Sequence, residues 1–194
     1  MSFVAARSAP IVDVVVPGTG IVRDALLIGA GTALTAICAQ VYIPVEPVPF
    51  TLQTMSVMLC GLALGARRGF LAQAFYVGIG ACGAPIFALH KFGLPTLTGT
   101  TGGYLVSFFV VAALLGWLAE RGWTRSVWKT AAAMAIGITI NLGMGALWLS
   151  HFIGFKAAFL SGVAPFLIPE AMKASVVILA LPAAWKLTGV NRRS

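Results

Sequence analysis

Charge is what this chain has least of. Thirteen basic and five acidic residues make up only 9% of its 194 residues, against roughly 25% in an ordinary soluble domain. So few polar groups cannot cover a soluble fold. A soluble enzyme, a disordered chain and a disulfide scaffold are therefore all excluded. Cysteine is scarce too. Cys38, Cys60 and Cys82 lie in apolar stretches without metal-ligand or redox spacing and read as small buried hydrophobes. The two histidines, His90 and His151, lack the spacing of a paired metal site. There is no P-loop and no Ser-Lys or Ser-His-Asp set in the apolar segments, so catalysis is not expected. The N-terminus makes a poor signal peptide, because Pro17-Gly18-Thr19-Gly20 cuts its first apolar run short.

What is abundant is apolar. Hydrophobic residues make 59%, and the 22 glycines bring the apolar share to about 70%. Mean hydropathy is +0.97. The fold class expected is an all-α integral membrane protein. Prolines and charges divide the chain into six candidate spans: 23 to about 42, 51–66, 70 to about 85, 103–119, about 127–149 and about 169–186. Arg67-Arg68-Gly69 reads as a tight basic turn. At about 20 residues per crossing, little room is left for a soluble domain. The expected organisation is a lead-in over 1–22 that can hold a short surface helix, a six-helix membrane domain over 23–187 and a tail over 188–194.

An even number of spans puts both termini on one side. That side collects Arg7, Arg23, Arg67, Arg68, Arg121, Arg125, Lys129, Lys186, Arg192 and Arg193, while the opposite loops hold only Lys91 and Lys156. The positive-inside rule then makes both termini cytoplasmic. It also accounts for the net charge of +8 without nucleic acid as a partner. The long Gly- and Pro-rich connections fall outside, which puts the expected site in a pocket at the outer face.

Charges in or beside spans are costly and mark function by default. Glu170 and Lys173, three residues apart at the outer start of span six, share a helix face. Their spacing fits either a ligand-binding acceptor–cation pair or an interfacial salt bridge. Glu46, between two prolines, reads as solvated. The run Thr98-Gly99-Thr100-Thr101-Gly102-Gly103-Tyr104 opens span four. Its glycines let the backbone approach a ligand, and its helix N-terminus offers free N–H groups; it reads equally as an interfacial turn. Gln53, Gln73 and Asn141 must find partners in a dry setting. Interhelical hydrogen bonds are the commoner reason, and Gln53 is the best placed for a ligand. Trp148 near His151 is either pocket wall or membrane belt. Span one carries small residues four apart, Gly29 and Ala33, Thr32 and Ala36, and Thr35 and Ala39. Such faces pack closely, within the bundle by default or against a partner subunit.

Three separated runs then become specific: Pro47-Val48-Pro49-Phe50-Thr51-Leu52-Gln53-Thr54-Met55, the glycine run through Leu105, and Ile168-Pro169-Glu170-Ala171-Met172-Lys173-Ala174. In this order the chain resembles the BioY family, the substrate-binding membrane subunits of energy-coupling-factor biotin transporters of bacteria. The resemblance implies a six-helix bundle in the cytoplasmic membrane, with biotin as its transported ligand and no cofactor. The ATPase subunits would act through a coupling transmembrane subunit. Carried over by position, the ligand-binding candidates are Phe50, Gln53, Thr100, Gly102, Gly103, Tyr104, Glu170 and Lys173. Ala33 and Ala36 are the candidates for the coupling interface. The chain departs from the family pattern at Glu170, where Asp is usual, and at Thr100, where Pro is usual. A subunit for another vitamin, or a stand-alone carrier, are the alternatives.

Overall fold

A computed structural model describes residues 9–188. Arg7, Arg192 and Arg193, the first eight residues of the lead-in and residues 189–194 of the tail lie outside the described residues. The elements in chain order are α1 (Ile11–Val15), α2 (Ile21–Ala39), β1 (Tyr42–Ile43), β2 (Phe50–Thr51), α3 (Gln53–Leu64), α4 (Ala66–Ala81), α5 (Leu94–Thr98), α6 (Gly102–Glu120), α7 (Val127–Ile153), α8 (Phe155–Gly162) and α9 (Leu167–Leu187). Among the described residues, four stretches are long and apolar enough to cross a membrane: α2, α6, α7 and the α8–α9 region Phe155–Leu187. Helix α3 is apolar but shorter.

Helix α6 is the centre of the bundle and packs against α3, α4 and α7. Small residues allow this. A Cβ added at Gly61 of α3 would lie 2.5 Å from the Ala112 carbonyl oxygen, and one at Gly116 of α6 would lie 2.3 Å from the Ala66 nitrogen. The helices therefore meet backbone to backbone, which brings dispersion contacts close where lipid removes the hydrophobic drive for association. Val57, Met58, Leu62, Val111, Leu115, Met134 and Val177 fill the core between them.

The expected turn at Arg67-Arg68-Gly69 is not there. The chain reverses at Gly65 alone, whose φ of +89° suits glycine, and α4 begins at Ala66. Both arginines belong to its first turn. Arg68 reaches Asp13 and Asp24, each at 2.8 Å, and Asp13 also holds Arg23 at 2.8 Å. The α4 N-terminus is capped from another helix: Glu120 Oε1 accepts the Ala66 N–H at 2.8 Å, as a carboxylate at a helix N-terminus should. The short helix α1 is docked by these ion pairs and by buried Ile11. Helix α2 begins at Ile21, two residues before the expected start.

At the opposite end, β1 and β2 form a small antiparallel hairpin with Tyr42 opposite Thr51 and Ile43 opposite Phe50. Helix α7 runs to Ile153, four residues beyond its expected end, and α8 adds a helix where a loop was expected. Cys38 and Cys60 are buried as expected, but Cys82 is exposed. It sits just past α4, where the helix ends and leaves its side chain uncovered.

Candidate ligand-binding site

The end of the bundle that carries the hairpin encloses a cavity. Its volume is about 60 Å³. The walls come from the hairpin loop, from the connection between α4 and α5, and from α3, α6, α7 and α9. Val48, Phe87, Tyr104, Phe108 and Phe166 supply apolar surface. Gln53, Thr54, Asn141 and Glu170 supply polar atoms, and Lys91 is the cation in the lining. Apolar walls with a few convergent polar groups are the usual make-up of a small-molecule site.

Glu170 is the decisive group. It is 2% exposed, at the start of α9 just after Pro169, which suits a first helical turn. Its Oε1 accepts a hydrogen bond from Thr54 Oγ1 at 2.8 Å and pairs with Lys173 Nζ. Lys173 Nζ also donates to the Thr51 carbonyl at 2.9 Å and to Thr54 Oγ1 at 2.5 Å. The i, i+3 pair read from spacing is thus real, and α9 clamps it onto the start of α3. A carboxylate this deeply buried persists only with such partners. Lys173 stands behind Glu170 and is not part of the cavity lining.

Gln53, buried at 5% exposure, donates from Nε2 to Tyr76 Oη at 2.6 Å and accepts from Thr51 Oγ1 at 3.0 Å. Tyr76 in turn donates to the Ile86 carbonyl at 3.2 Å. This chain tethers the loop that places Phe87 in the cavity wall. Tyr104 lines the cavity with its ring, and its hydroxyl donates to the Gly162 carbonyl at 2.8 Å, holding α8 against α6.

The other carried-over positions support the cavity from behind. Phe50 packs on Phe166 with ring centroids 4.5 Å apart. Thr100 Oγ1 donates to the Pro47 carbonyl at 3.3 Å, joining the hairpin loop to the glycine run. Gly102 and Gly103 are sites of close approach. An added Cβ would lie 1.8 Å from the Leu97 carbonyl oxygen at Gly102, and 2.2 Å from Trp148 Cβ at Gly103. Trp148 is a packing residue: its Nε1 donates to the Gly99 carbonyl at 2.8 Å. Glu46 is exposed, as read from the sequence.

Several lining residues were not singled out from the sequence: Thr54, Lys91, Phe87 and Phe166. Thr54 falls within the distinctive PVPF-x-LQ-T run, and that was its available signal. Lys91 and Phe87 enter the site only because the loop folds back over the bundle.

Residues of the small-residue face part company. Thr32, Thr35 and Ala39 are buried inside, while Gly29 and Ala33 are exposed and Ala36 is half-buried. The last three line a second, apolar groove of about 820 Å³ between α2 and α4, together with Leu71, Phe75 and Ile79. Internal packing therefore accounts for only half of this face.

The fold defines a multi-pass membrane protein with a cavity enclosed at one end. Residues 7–189 match the BioY family. The biotin transporter BioY of Thermotoga maritima is 38% identical over 158 residues, covering 81% of this chain and 92% of that protein. The biotin transporter BioY2 of Lactococcus lactis is 36% identical over 158 residues, covering 79% and 85%. In fold, the chain is similar to the crystal structure of the S-component for biotin from an ECF-type ABC transporter, with a TM-score of 0.77, 24% identity and coverage of 85% of this chain and 92% of that one. The chain belongs to the BioY family.

Proposed function

We propose that this protein captures biotin at the outer face of the bacterial cytoplasmic membrane for uptake. The observation that carries the reading is the buried Glu170 carboxylate, which lines an otherwise largely apolar cavity. Biotin has a urea head with two N–H donors, an apolar sulfur ring and an anionic tail. Glu170 accepts from the urea N–H groups. Both of its protein contacts use Oε1, which leaves Oε2 for the ligand. Phe87, Phe108 and Phe166 receive the ring and chain, and Lys91 answers the carboxylate tail. Lys173 acts as a positioning residue that holds Glu170 in place.

Six crossings with both termini cytoplasmic complete the proposal. The ten-to-two distribution of basic residues supports it, as does the inner-end cluster of Arg23, Arg68 and Asp13. Energy comes from separate ATPase subunits through a coupling transmembrane subunit, which docks on the α2–α4 groove at Ala33 and Ala36. The protein itself is not an enzyme.

The test is mass spectrometry of small molecules released from the purified protein, followed by thermal shifts against a vitamin panel. Biotin should be released, and it alone should raise the melting temperature by mass action. Stabilisation by thiamine or riboflavin instead would overturn the assignment. Uptake by cells that lack coupling and ATPase subunits would overturn the division of labour.

A further inference from the structure

Asn141 sits on α7 at 2% exposure and lines the cavity. Its Nδ2 donates to Ser107 Oγ at 2.6 Å. Ser107 Oγ donates to the Tyr104 carbonyl at 2.7 Å. A serine hydroxyl has one proton, and the Tyr104 carbonyl takes it. Ser107 can therefore only accept from Asn141, which fixes the orientation of the amide: nitrogen to Ser107, oxygen away from it. That oxygen, Oδ1, is buried and has no hydrogen-bond partner among the described residues.

A buried amide oxygen without a donor is destabilising, and the neighbouring hydrogen bonds prevent the amide from turning to relieve it. We infer that Asn141 Oδ1 is a ligand acceptor that reads the second N–H of a cyclic urea. Asn141 lines the cavity from α7, while Glu170 lines it from α9. The proposal rests on the biotin reading and deepens it. A head group that presents an N–H on each side of one carbonyl satisfies both acceptors. A ligand with only one N–H leaves Asn141 unpaired, and one with an acceptor in that place meets it lone pair to lone pair. Ser107 is the positioning residue that keeps Asn141 in acceptor orientation.

Two variants and three ligands test this by calorimetric titration. The ligands are biotin and its two analogues methylated on one or the other ureido nitrogen. For Asn141→Ala, biotin should bind about tenfold to a hundredfold more weakly, as expected for an unmet polar group. The penalty for methylating one nitrogen should fall to within about threefold in this variant, while the penalty for the other should persist. Asn141→Leu is nearly isosteric and removes the unpaired oxygen. The ligand-free protein should then melt no lower than the wild type, with biotin binding still impaired. Affinity within twofold of wild type in Asn141→Ala, or equal methylation penalties in both proteins, overturns the proposal alone. So does a lower melting temperature for Asn141→Leu with unchanged binding, which marks a purely structural role. Failure of the wild type to bind biotin overturns the functional reading and this inference together.

Discussion

Replacing Lys173 with methionine keeps the length of the side chain and deletes its charge. Three contacts disappear: those to the Thr51 carbonyl, to Thr54 Oγ1 and to Glu170. Glu170 stays in place with one remaining donor, the Thr54 hydroxyl at 2.8 Å. The side chains of Lys173 and Glu170 are 12% and 3% exposed, so solvent does little to rescue the stranded carboxylate. Breaking a buried pair from one side costs about 3–5 kcal/mol. Glu170→Gln strands the ammonium less severely, because Thr51 and Thr54 still accept from it; a cost of about 1–3 kcal/mol is expected. In the double variant neither charge remains to be stranded. Its loss of stability should fall short of the sum of the single losses by about 0.5–3 kcal/mol, the range seen for contacting residues. Thermal unfolding of the purified ligand-free proteins in one detergent measures this. Biotin titration of the same samples supplies the second readout. The double variant should lose less stability than the two single losses summed yet bind biotin poorly, because the ligand still meets an amide in place of the carboxylate. Additive stabilities within about 0.5 kcal/mol would show that the pair is not coupled. Wild-type affinity in the double variant would remove Glu170 from the site.

Two further substitutions separate the cavity from the groove. Gly103→Ala places a Cβ 2.2 Å from Trp148 Cβ and 2.8 Å from the Met144 carbonyl oxygen, so α6 and α7 must move apart. Overpacking of this kind costs about 1–3 kcal/mol, and the melting temperature and biotin affinity should fall together, because Tyr104 and Asn141 stand on those two helices. Ala33→Leu, on the exposed side of α2, should leave stability within about 0.5 kcal/mol of wild type and biotin binding unchanged. The same variant should reduce co-purification with the coupling transmembrane subunit; undiminished capture would move the docking surface elsewhere.

What the sequence could and could not reveal follows the range of each interaction. The Glu170–Lys173 pair is legible because both residues lie on one helical turn, and spacing alone puts them together. Its partners are not: Thr51 and Thr54 are 122 and 119 residues from Lys173 in the chain, and no periodicity reports that contact. Prolines and charges located most helix ends, yet they misplaced the turn after α3. Two arginines look like a loop in an apolar chain, whereas here the charge of Arg68 is met by Asp13 and Asp24 from other segments and both arginines stand in the first turn of a helix. The true break is one glycine, which hydropathy does not register. Asn141 is the sharpest case. Its position in an apolar span is plain from the sequence, and a partner for it could be expected on general grounds. Which end of the amide finds that partner depends on a single serine proton one helix away, and so on a carbonyl three residues before that serine. The free acceptor appears only once all three groups are placed. Tertiary closure thus turned the residue read as interhelical glue into one that joins two helices through its nitrogen and leaves its oxygen without a protein partner beside the cavity.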